Sequence, residues 1–542
     1  MNNLDNLIDR YLNSLWERMP VQATELGIHK YDARLPDFDP DAIDQGYQQD
    51  QSVADEFRSL ETEGLEADAF LDRQVALANL RRSIAQHEHL RPWQRNPCKY
   101  ERAVIQGAYS LLERDYAPLE QRARLVLERL RQAPRVLRQG RANLTRQASP
   151  MFVDTALKEI AGGTRFVEEV AGDLGREIPA MASDLAEAAD TALEALAEYE
   201  SCLRTLSRSA EGDFAVGQKY YDFLLQDYHL VDIDCQELLA LGRRHMAACQ
   251  EDLKRLAERI EPGRSWIDIA SELKRDHPAT MDGVLAMYQE EVDLARAFVI
   301  EEDLVTMPDE DGFIVTRSPE FVWATIPFGS THPPRPFEAD NTGYWEITPP
   351  DPQASDEAQE QRLQGHNRWN AKAIALHEAY PGHHMHYCIV KQLNSKIRRQ
   401  FVDTVFVEGW GLYTEDLMWE AGYFEDPRVR LIQLVNALWR AVRVVVDVSL
   451  HTRLKSVEEC IAMLVDVSRL EPVNAAVEVA RYAATPTQAA SYLLGKTRLM
   501  AIRDACRQEA GQSFDLKAFH DELLSYGAIS PSLVRGQMLS EE

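Results

Sequence analysis

Long hydrophobic runs are absent from this sequence. No stretch of about 18 consecutive apolar residues occurs, which is the length that a membrane-spanning helix requires. The first five residues, Met-Asn-Asn-Leu-Asp, are polar and acidic and do not form the apolar core of a secretory signal. We therefore expect a soluble, cytoplasmic protein that has no membrane as a partner.

Cysteine is scarce and scattered. The chain has seven cysteines among 542 residues, an odd number, and none of them forms a Cys-x-x-Cys pair. A small domain stapled by disulfides usually has an even number of cysteines at close spacing. The pattern favours reduced thiols in a cytosol over a disulfide framework.

Positive charge is also in short supply. The 59 lysine and arginine residues face 88 aspartate and glutamate residues, which gives a formal net charge of −29. Such an excess of negative charge repels nucleic acids and anionic membrane surfaces. The composition therefore excludes nucleic acid as a partner, whereas small neutral or cationic substrates stay possible.

The residues that are present favour a helical body. Apolar residues make up 45% of the chain, which is ordinary for a globular protein. Amphipathic patterns of helical period recur through the first half without a fixed-period repeat. Since 542 residues are many for one core, we predict a mostly α-helical fold with a scaffold subdomain over 1–300 and a second subdomain over 301–542. The sequence indicates no oligomeric state.

A small sheet is predicted at the start of the second subdomain. Short β-prone runs separated by Pro, Asp and Gly begin near residue 304. These runs are 304–307, 312–316, 321–326 and 343–348.

A cluster of histidines follows the predicted sheet. Four histidines and one glutamate fall within ten residues, at His377, Glu378, His383, His384 and His386. Zinc hydrolases hold a metal and a general base with a His-Glu pair and a second His about one helical turn later. Pro381 stands where that second His is expected.

The spacing of the histidines requires a distorted backbone. In an unbroken helix His384 would lie roughly 10 Å along the axis from His377, too far for zinc–nitrogen bonds of about 2.0–2.1 Å. Pro381 clashes with a carbonyl one turn back, and Gly382 tolerates unusual dihedral angles. We predict a kink or bulge at Pro381-Gly382 that makes His377 and His383 the metal ligands, with His384 as the alternative to His383.

A third ligand is expected from a later helix. Glu408 lies among apolar residues, and a buried carboxylate needs a partner such as a metal. Glu415 is seven residues further on and so on the same helical face. We predict Glu408 as the third ligand and Glu415 either as an acceptor for a ligand histidine N–H or as an ordinary helix-surface or salt-bridged acid.

The eight residues 377–384 carry a resemblance to a known family. They read His-Glu-Ala-Tyr-Pro-Gly-His-His, which is the signature of bacterial domain-of-unknown-function family 885. The similarity runs nearly end to end, and further matches occur at Pro20, 23–24, 26–29, 31–32, Leu35, 481–482, Pro486, 488–489, Tyr492, Gly495 and Arg503. At a distance, this family resembles the gluzincin metallopeptidases related to thimet oligopeptidase and carboxypeptidase Taq.

The gluzincin resemblance implies further roles. It implies a gluzincin-like body with an edge strand beside the active helix, an N-terminal half that forms one wall of a substrate cleft, and a tyrosine or histidine that stabilises the oxyanion. Tyr492 is the tyrosine candidate. His451, four residues after Asp447 and able to touch it, is a further catalytic candidate. His384 and Arg503, the latter through its planar fork, are candidates for binding substrate.

These observations together predict a zinc-dependent hydrolase with one metal ion. A peptidase that cleaves short peptides, with Glu378 as general base, is the main hypothesis. Mn or Co could occupy similar ligands. The alternatives are a metal-dependent amidase acting on a small non-peptide amide, and a non-catalytic helical binding protein with a structural metal.

Overall fold

The computed structural model describes residues 3–61, 65–309, 311–323, 326 and 328–539. The described residues are mostly helical, with one small sheet, as the sequence predicts. By its internal contacts the chain divides into two compact units, Met1–Phe214 with Pro319–Thr325, and Ala215–Ser318 with Ile326–Glu542. This division falls near residue 214, whereas the predicted boundary lies at 300. Two roles stay predictions: a helical scaffold over 1–300, and a metal-binding catalytic subdomain with the small sheet over 301–542.

The first unit is built from helices alone among its described residues. Proline occupies the first turn of several of them, where the missing N–H group has no acceptor to lose. The helices are α1 Asn3–Arg18, α2 Pro20–Glu25, α3 Pro40–Ser59, α4 Ala67–Ala85, α5 Pro92–Arg95, α6 Cys98–Tyr109, α7 Leu119–Leu130, α8 Ala133–Asn143, α9 Pro150–Glu177 and α10 Ala182–Leu206. Helices α6–α10 enclose a core of alanine, leucine and valine around the buried rings of Tyr100 and Tyr199.

The second unit holds the histidine cluster. Its helices are α11 Gln218–Phe223, α12 Cys235–Ile260, α13 Trp266–Leu273, α14 Met281–Glu301, α15 Asp356–Gly365, α16 Arg368–Glu378, α17 His383–Lys391, α18 Lys396–Gln400, α19 Thr404–Glu420, α20 Pro427–His451, α21 Val457–Ser468, α22 Pro472–Ala484, α23 Gln488–Ala510, α24 Leu516–Ser525 and α25 Pro531–Met538. Its strands are β1 Gly312–Arg317, β2 Gly329–His332 and β3 Thr342–Ile347.

The sheet has the order β1-β3-β2. Strand β1 runs parallel to β3, with Gly312 opposite Thr342, and β2 runs antiparallel to β3, with Gly329 opposite Ile347. Two of the predicted runs, 312–316 and 343–348, are confirmed as strands. The run 304–307 is not a strand, and 321–326 begins with the short 3₁₀ turn Glu320–Val322, while residues 324 and 325 lie outside the described residues.

The core of the second unit centres on α20. This helix packs against α12, α16 and α23, and α19 packs against α16 and α23. Because α20 is enclosed on nearly all sides, most of its residues are buried, and most of those are apolar. None of the described helices combines the length and the apolarity that crossing a membrane would require.

Candidate metal centre

The predicted kink at Pro381-Gly382 is confirmed as a complete interruption of the helix. Helix α16 ends at Glu378, and α17 begins at His383 after four non-helical residues. A Cβ atom on Gly382 would lie 2.0 Å from the His377 carbonyl oxygen, so only glycine fits this close approach. The Trp410 indole donates a hydrogen bond of 2.8 Å to the Pro381 carbonyl, which satisfies a polar group of the buried break.

The interruption brings the three predicted ligands together. The Nε2 atoms of His377 and His383 lie 3.5 Å and 3.3 Å from Oε2 of Glu408. One ligand atom from each of the three residues lies within 4.8 Å of the others. Two imidazoles and one carboxylate are therefore gathered around a single point, with His377 on α16, His383 on α17 and Glu408 on α19.

His384 points away from this cluster. Its ring centroid lies 4.7 Å from that of Phe313 and 5.4 Å from that of Tyr380, and its side chain is 0% exposed. The structure therefore places His383, rather than the alternative His384, against Glu408.

Glu415 lies behind His377, in the position predicted for a supporting acceptor. Its Oε1 atom is 3.1 Å from Nδ1 of His377 and 3.4 Å from a guanidinium nitrogen of Arg440. A carboxylate on Nδ1 fixes the ring orientation and leaves Nε2 to face Glu408. The same α19 helix supplies Gly411, where a Cβ would lie 2.7 Å from the His377 ring, so the ring can pack this closely only against glycine.

The electrostatics of the cluster show how strongly it favours positive charge. Burial opposes the charge on His377, but the carboxylates of Glu408 and Glu415 outweigh it and raise the pKa of His377 to about 9. Burial likewise opposes the charge on Glu408, but the two facing imidazoles hold the pKa of its carboxyl well below the usual range. The site is therefore built to hold a carboxylate next to a cation.

The donor set fits a divalent metal such as zinc. Oε2 of Glu408, which faces both imidazoles, is buried and makes no hydrogen bond of acceptable geometry among the described residues. A polar atom buried in this way is costly unless a ligand or ion satisfies it. Two histidines and one glutamate are a known zinc ligand set that leaves a further position for water or substrate.

Glu378 borders the cluster at the last residue of α16. Its Oε2 atom accepts a hydrogen bond of 2.6 Å from the Thr331 hydroxyl, on the edge strand β2. The side chain is half-buried and lines a cavity of about 320 Å³ in the second unit. The edge strand thus orients the carboxylate that the sequence analysis assigned as general base.

The cavity reaches the cluster at His377 and has apolar and basic walls. Among its lining residues are His377, Glu378, Gly329, Ser330, Ile326, Phe328, Ile374, Val435, Trp439, Arg440, Arg443, Arg481 and Tyr492. A concave site with an apolar wall and a few polar groups is the usual form of a small-molecule site.

Tyr492, the tyrosine candidate for stabilising the oxyanion, lies beside His377 and lines the cavity. Its ring stacks on that of His377, with centroids 5.7 Å apart and an angle of 14° between the planes. Burial raises the pKa of Tyr492 to about 12, so its hydroxyl stays protonated near neutral pH and can donate a hydrogen bond. Its catalytic role stays a prediction.

Two other predicted site residues do not reach the cavity, and neither does His384. The His451 ring is 0% exposed, and its Nε2 donates a hydrogen bond of 3.0 Å to the Tyr482 carbonyl in the interior. Arg503 is also buried, and it pairs with Glu420 at 2.9 Å. These positions give His451 no contact with the cluster, and give Arg503 and His384 no contact with a substrate in this cavity.

The predicted contact between His451 and Asp447 does occur, at 3.6 Å. Burial lowers the pKa of His451 to about 4 and raises the pKa of Asp447 to about 7. The folded protein therefore keeps a proton on Asp447 between about pH 4 and pH 7, where the unfolded chain releases it. Stability contributed by this group is fully present at acidic pH and is lost as the pH rises toward 7.

Asp447→Asn is expected to remove this loss. The stability of the variant relative to wild type should rise between pH 4 and pH 8, by up to about 4 kcal/mol. Urea unfolding across this pH range measures the difference, with the exposed Asp466→Asn as the control for removing a carboxylate. A difference that stays constant with pH would show that Asp447 is ionised in the fold.

Sequence reasoning missed several residues that shape the site. Thr331, which holds Glu378, lies on β2, a polar strand that no β-prone run indicated. Gln488 donates a hydrogen bond of 3.0 Å to Oε1 of Glu408. In the sequence, only the family pattern, which includes Gln488, marked this residue as a candidate. Arg440 was visible as a charge within an apolar helix, which could have marked it as a functional candidate.

Sequence comparison now identifies the family of this helical protein with its buried two-histidine, one-glutamate cluster. The profile of the family described as "Bacterial protein of unknown function (DUF885)" matches residues 20–538. The chain belongs to this family, which confirms the assignment made from the octapeptide. No curated protein matches the chain.

Two solved structures share the fold. One is described as "a putative lipoprotein of unknown function from Shewanella oneidensis", with 22% identity, a TM-score of 0.82 and 100% of both chains covered. The other is "the putative lipoprotein from Colwellia psychrerythraea", with 18% identity, a TM-score of 0.84 and 99% of both chains covered. At these identities the likeness concerns the fold.

Proposed function

We propose that this protein is a zinc-dependent hydrolase that cleaves short peptides. The observation that carries the proposal is the meeting of His377, His383 and Glu408 at one point beside a cavity that Glu378 also lines. The distant resemblance of the octapeptide to gluzincin metallopeptidases supports the same chemistry. His377, His383 and Glu408 would hold the ion, and Mn or Co would suit the same donors.

The metal would act as a Lewis acid that lowers the pKa of a water and polarises the scissile carbonyl. Glu378 accepts the proton of the attacking water on its carboxylate and passes it to the leaving nitrogen as the C–N bond breaks. The Thr331 hydroxyl holds this carboxylate in place. The Tyr492 hydroxyl donates a hydrogen bond to the carbonyl oxygen as its negative charge develops.

The edge strand supports a peptide as the substrate. Among the described residues, strand β2 pairs with β3 on one side only, and Gly329 and Ser330 of β2 line the cavity. An extended peptide can pair its backbone with such an edge. A small non-peptide amide would gain nothing from this strand, which is why we place the amidase hypothesis second.

The number of ligands also argues against a purely structural metal. Structural zinc is closed by four protein ligands, whereas the cluster of described residues offers three. Glu378 would have no task in a site that only held an ion.

Zinc-dependent cleavage tests the proposal. Purified protein loaded with one equivalent of zinc should cleave members of a short-peptide library, and removal of zinc with 1,10-phenanthroline should abolish the cleavage. Restoring zinc should restore it. A protein that binds zinc but cleaves neither peptides nor simple amides would contradict the proposal, and cleavage of simple amides alone would favour the amidase.

The cellular location belongs to the proposal as well. The scattered cysteines, odd in number and without a Cys-x-x-Cys pair, favour a cytoplasmic protein. The descriptions of the two structural neighbours as lipoproteins point to a lipid-anchored protein outside the cytoplasm as the alternative. Fractionation of cells followed by immunodetection separates the two.

A further inference from the structure

The cavity is lined by more basic than acidic side chains, although the chain as a whole is acidic. Acidic residues outnumber basic ones by 88 to 59 overall. The cavity lining instead has five basic side chains and three acidic ones. The basic ones are Lys274, Arg440, Arg443, Arg469 and Arg481, and the acidic ones are Glu378, Glu471 and Glu478. This wall therefore favours a ligand with a negative charge.

Arg440 is a buried cation of this wall, and two of its nitrogen atoms have no hydrogen-bond acceptor among the described residues. The residue is only 3% exposed, and one guanidinium nitrogen lies 3.4 Å from Oε1 of Glu415. Its Nε and Nη1 atoms are buried and have no hydrogen-bond partner among the described residues. Leaving charged donors unpaired in the interior is costly, so an acceptor supplied by a ligand would relieve a real deficit.

Arg443 places a second guanidinium near the first. Both Cζ atoms lie over the Trp439 ring, at 5.5 Å for Arg440 and 3.9 Å for Arg443. Both also lie over the Tyr492 ring, at 6.0 Å and 4.8 Å. Arg443 is in part compensated, because its Nε donates to the Tyr482 hydroxyl at 2.9 Å and Glu478 lies 3.4 Å away.

The position of Arg440 determines how far a bound anionic group would lie from the bond that is cleaved. Oε1 of Glu415 contacts both Arg440 and His377. A single carboxylate therefore separates the Arg440 guanidinium from the ligand cluster. In a peptide, a negative charge this close to a cleaved bond is the carboxylate of the C-terminal residue or of an acidic side chain next to the bond. The apolar wall formed by Phe328, Ile374 and Val435 suits an apolar side chain and so favours the C-terminal carboxylate. A dianion such as phosphate is disfavoured, because Glu378, Glu415 and Glu478 surround the same wall.

We propose that Arg440, with Arg443 beside it, binds the free C-terminal carboxylate of the substrate, so that the enzyme releases a C-terminal amino acid. This inference rests on the hydrolase function proposed above. The apolar wall formed by Phe328, Ile374 and Val435 accommodates an apolar side chain on that residue. The carboxylate-binding role predicted for Arg503 thus moves to Arg440.

Binding of two matched probes tests the inference. N-acetyl-phenylalanine carries the carboxylate, and N-acetyl-phenylalaninamide replaces it with a neutral amide. Isothermal titration calorimetry with the zinc-loaded full chain should show that the carboxylate probe binds about 10- to 100-fold more tightly. In Arg440→Gln the two affinities should become nearly equal, and Arg440→Lys should keep part of the preference, since it retains the charge but not the fork.

Arg259→Gln is the matched control, because it removes a basic side chain that is exposed on α12 and does not line the cavity. Its probe preference should match that of wild type. Equal affinities in wild type, or failure of both probes to bind, would overturn the inference even if Arg440→Gln did not fold. A preference that survived in folded Arg440→Gln would also overturn it, because the carboxylate would then be held elsewhere, for example by the metal.

The failure of this inference is distinguishable from the failure of the proposed function. Carboxylate-selective binding without any peptide cleavage would leave the subsite and remove the hydrolase. Equal cleavage of free and C-terminally amidated peptides would leave the hydrolase and remove the subsite.

Discussion

Glu378→Gln is expected to lower kcat for peptide cleavage by at least about 100-fold while the protein keeps one zinc ion per chain. The amide side chain can still accept the hydrogen bond of 2.6 Å from the Thr331 hydroxyl, so the local structure should persist. It cannot take up a proton from the attacking water. Steady-state kinetics and elemental analysis of the same preparation measure the two effects.

Glu357→Gln is a suitable control for this variant, because Glu357 is exposed on α15 and does not line the cavity. It should keep wild-type turnover. If Glu378→Gln were as active as wild type, another group would be the base. Loss of zinc from Glu378→Gln would instead place Glu378 among the metal ligands.

His383→Ala is expected to lose zinc, and His384→Ala is expected to keep it. Removing a group that only supports a ligand already costs about 10- to 100-fold in metal affinity, so loss of a ligand should cost more than about 100-fold. His384 instead packs on Phe313 and Tyr380, so its removal should lower the free energy of unfolding and spare the zinc site.

Competition with a chromophoric chelator measures the zinc affinity of both variants, and thermal unfolding measures their stability. The comparison is informative because the two histidines are adjacent in the chain and both are buried. Zinc retained by His383→Ala and lost by His384→Ala would show that the ligands are assigned in the wrong order.

Much of the candidate site could be predicted from the sequence because its key residues lie in one short motif. Pro381 and Gly382 required a break, and a break favours His383 over His384 as the partner of His377. Glu408 was found because an acid among apolar residues needs a partner. The choice between His383 and His384 required the structure, because the conformation of the turn between α16 and α17 decides which of the two side chains faces His377 and Glu408.

The residues that sequence reasoning misplaced or missed lack such a local signal. His451 and Arg503 lie on helices that pass through the core of the second unit, where a buried polar side chain can pair internally or face a ligand. The sequence shows the same pattern of apolar residues whether such a side chain pairs internally or faces a ligand. Strand β2 was missed because its sequence, Gly-Ser-Thr-His, has low β-propensity and pairs only through its long-range contact with β3.

Anomalous scattering from crystals of the zinc-loaded protein, recorded on both sides of the zinc absorption edge, locates the bound ion. We predict one strong peak bounded by Nε2 of His377, Nε2 of His383 and a carboxylate oxygen of Glu408. Zinc bound at another place would contradict it, for example at the buried group Cys98, Glu101 and Glu159, whose ligand atoms also lie within 4.8 Å of one another. Absence of any peak at the histidine cluster would contradict it equally.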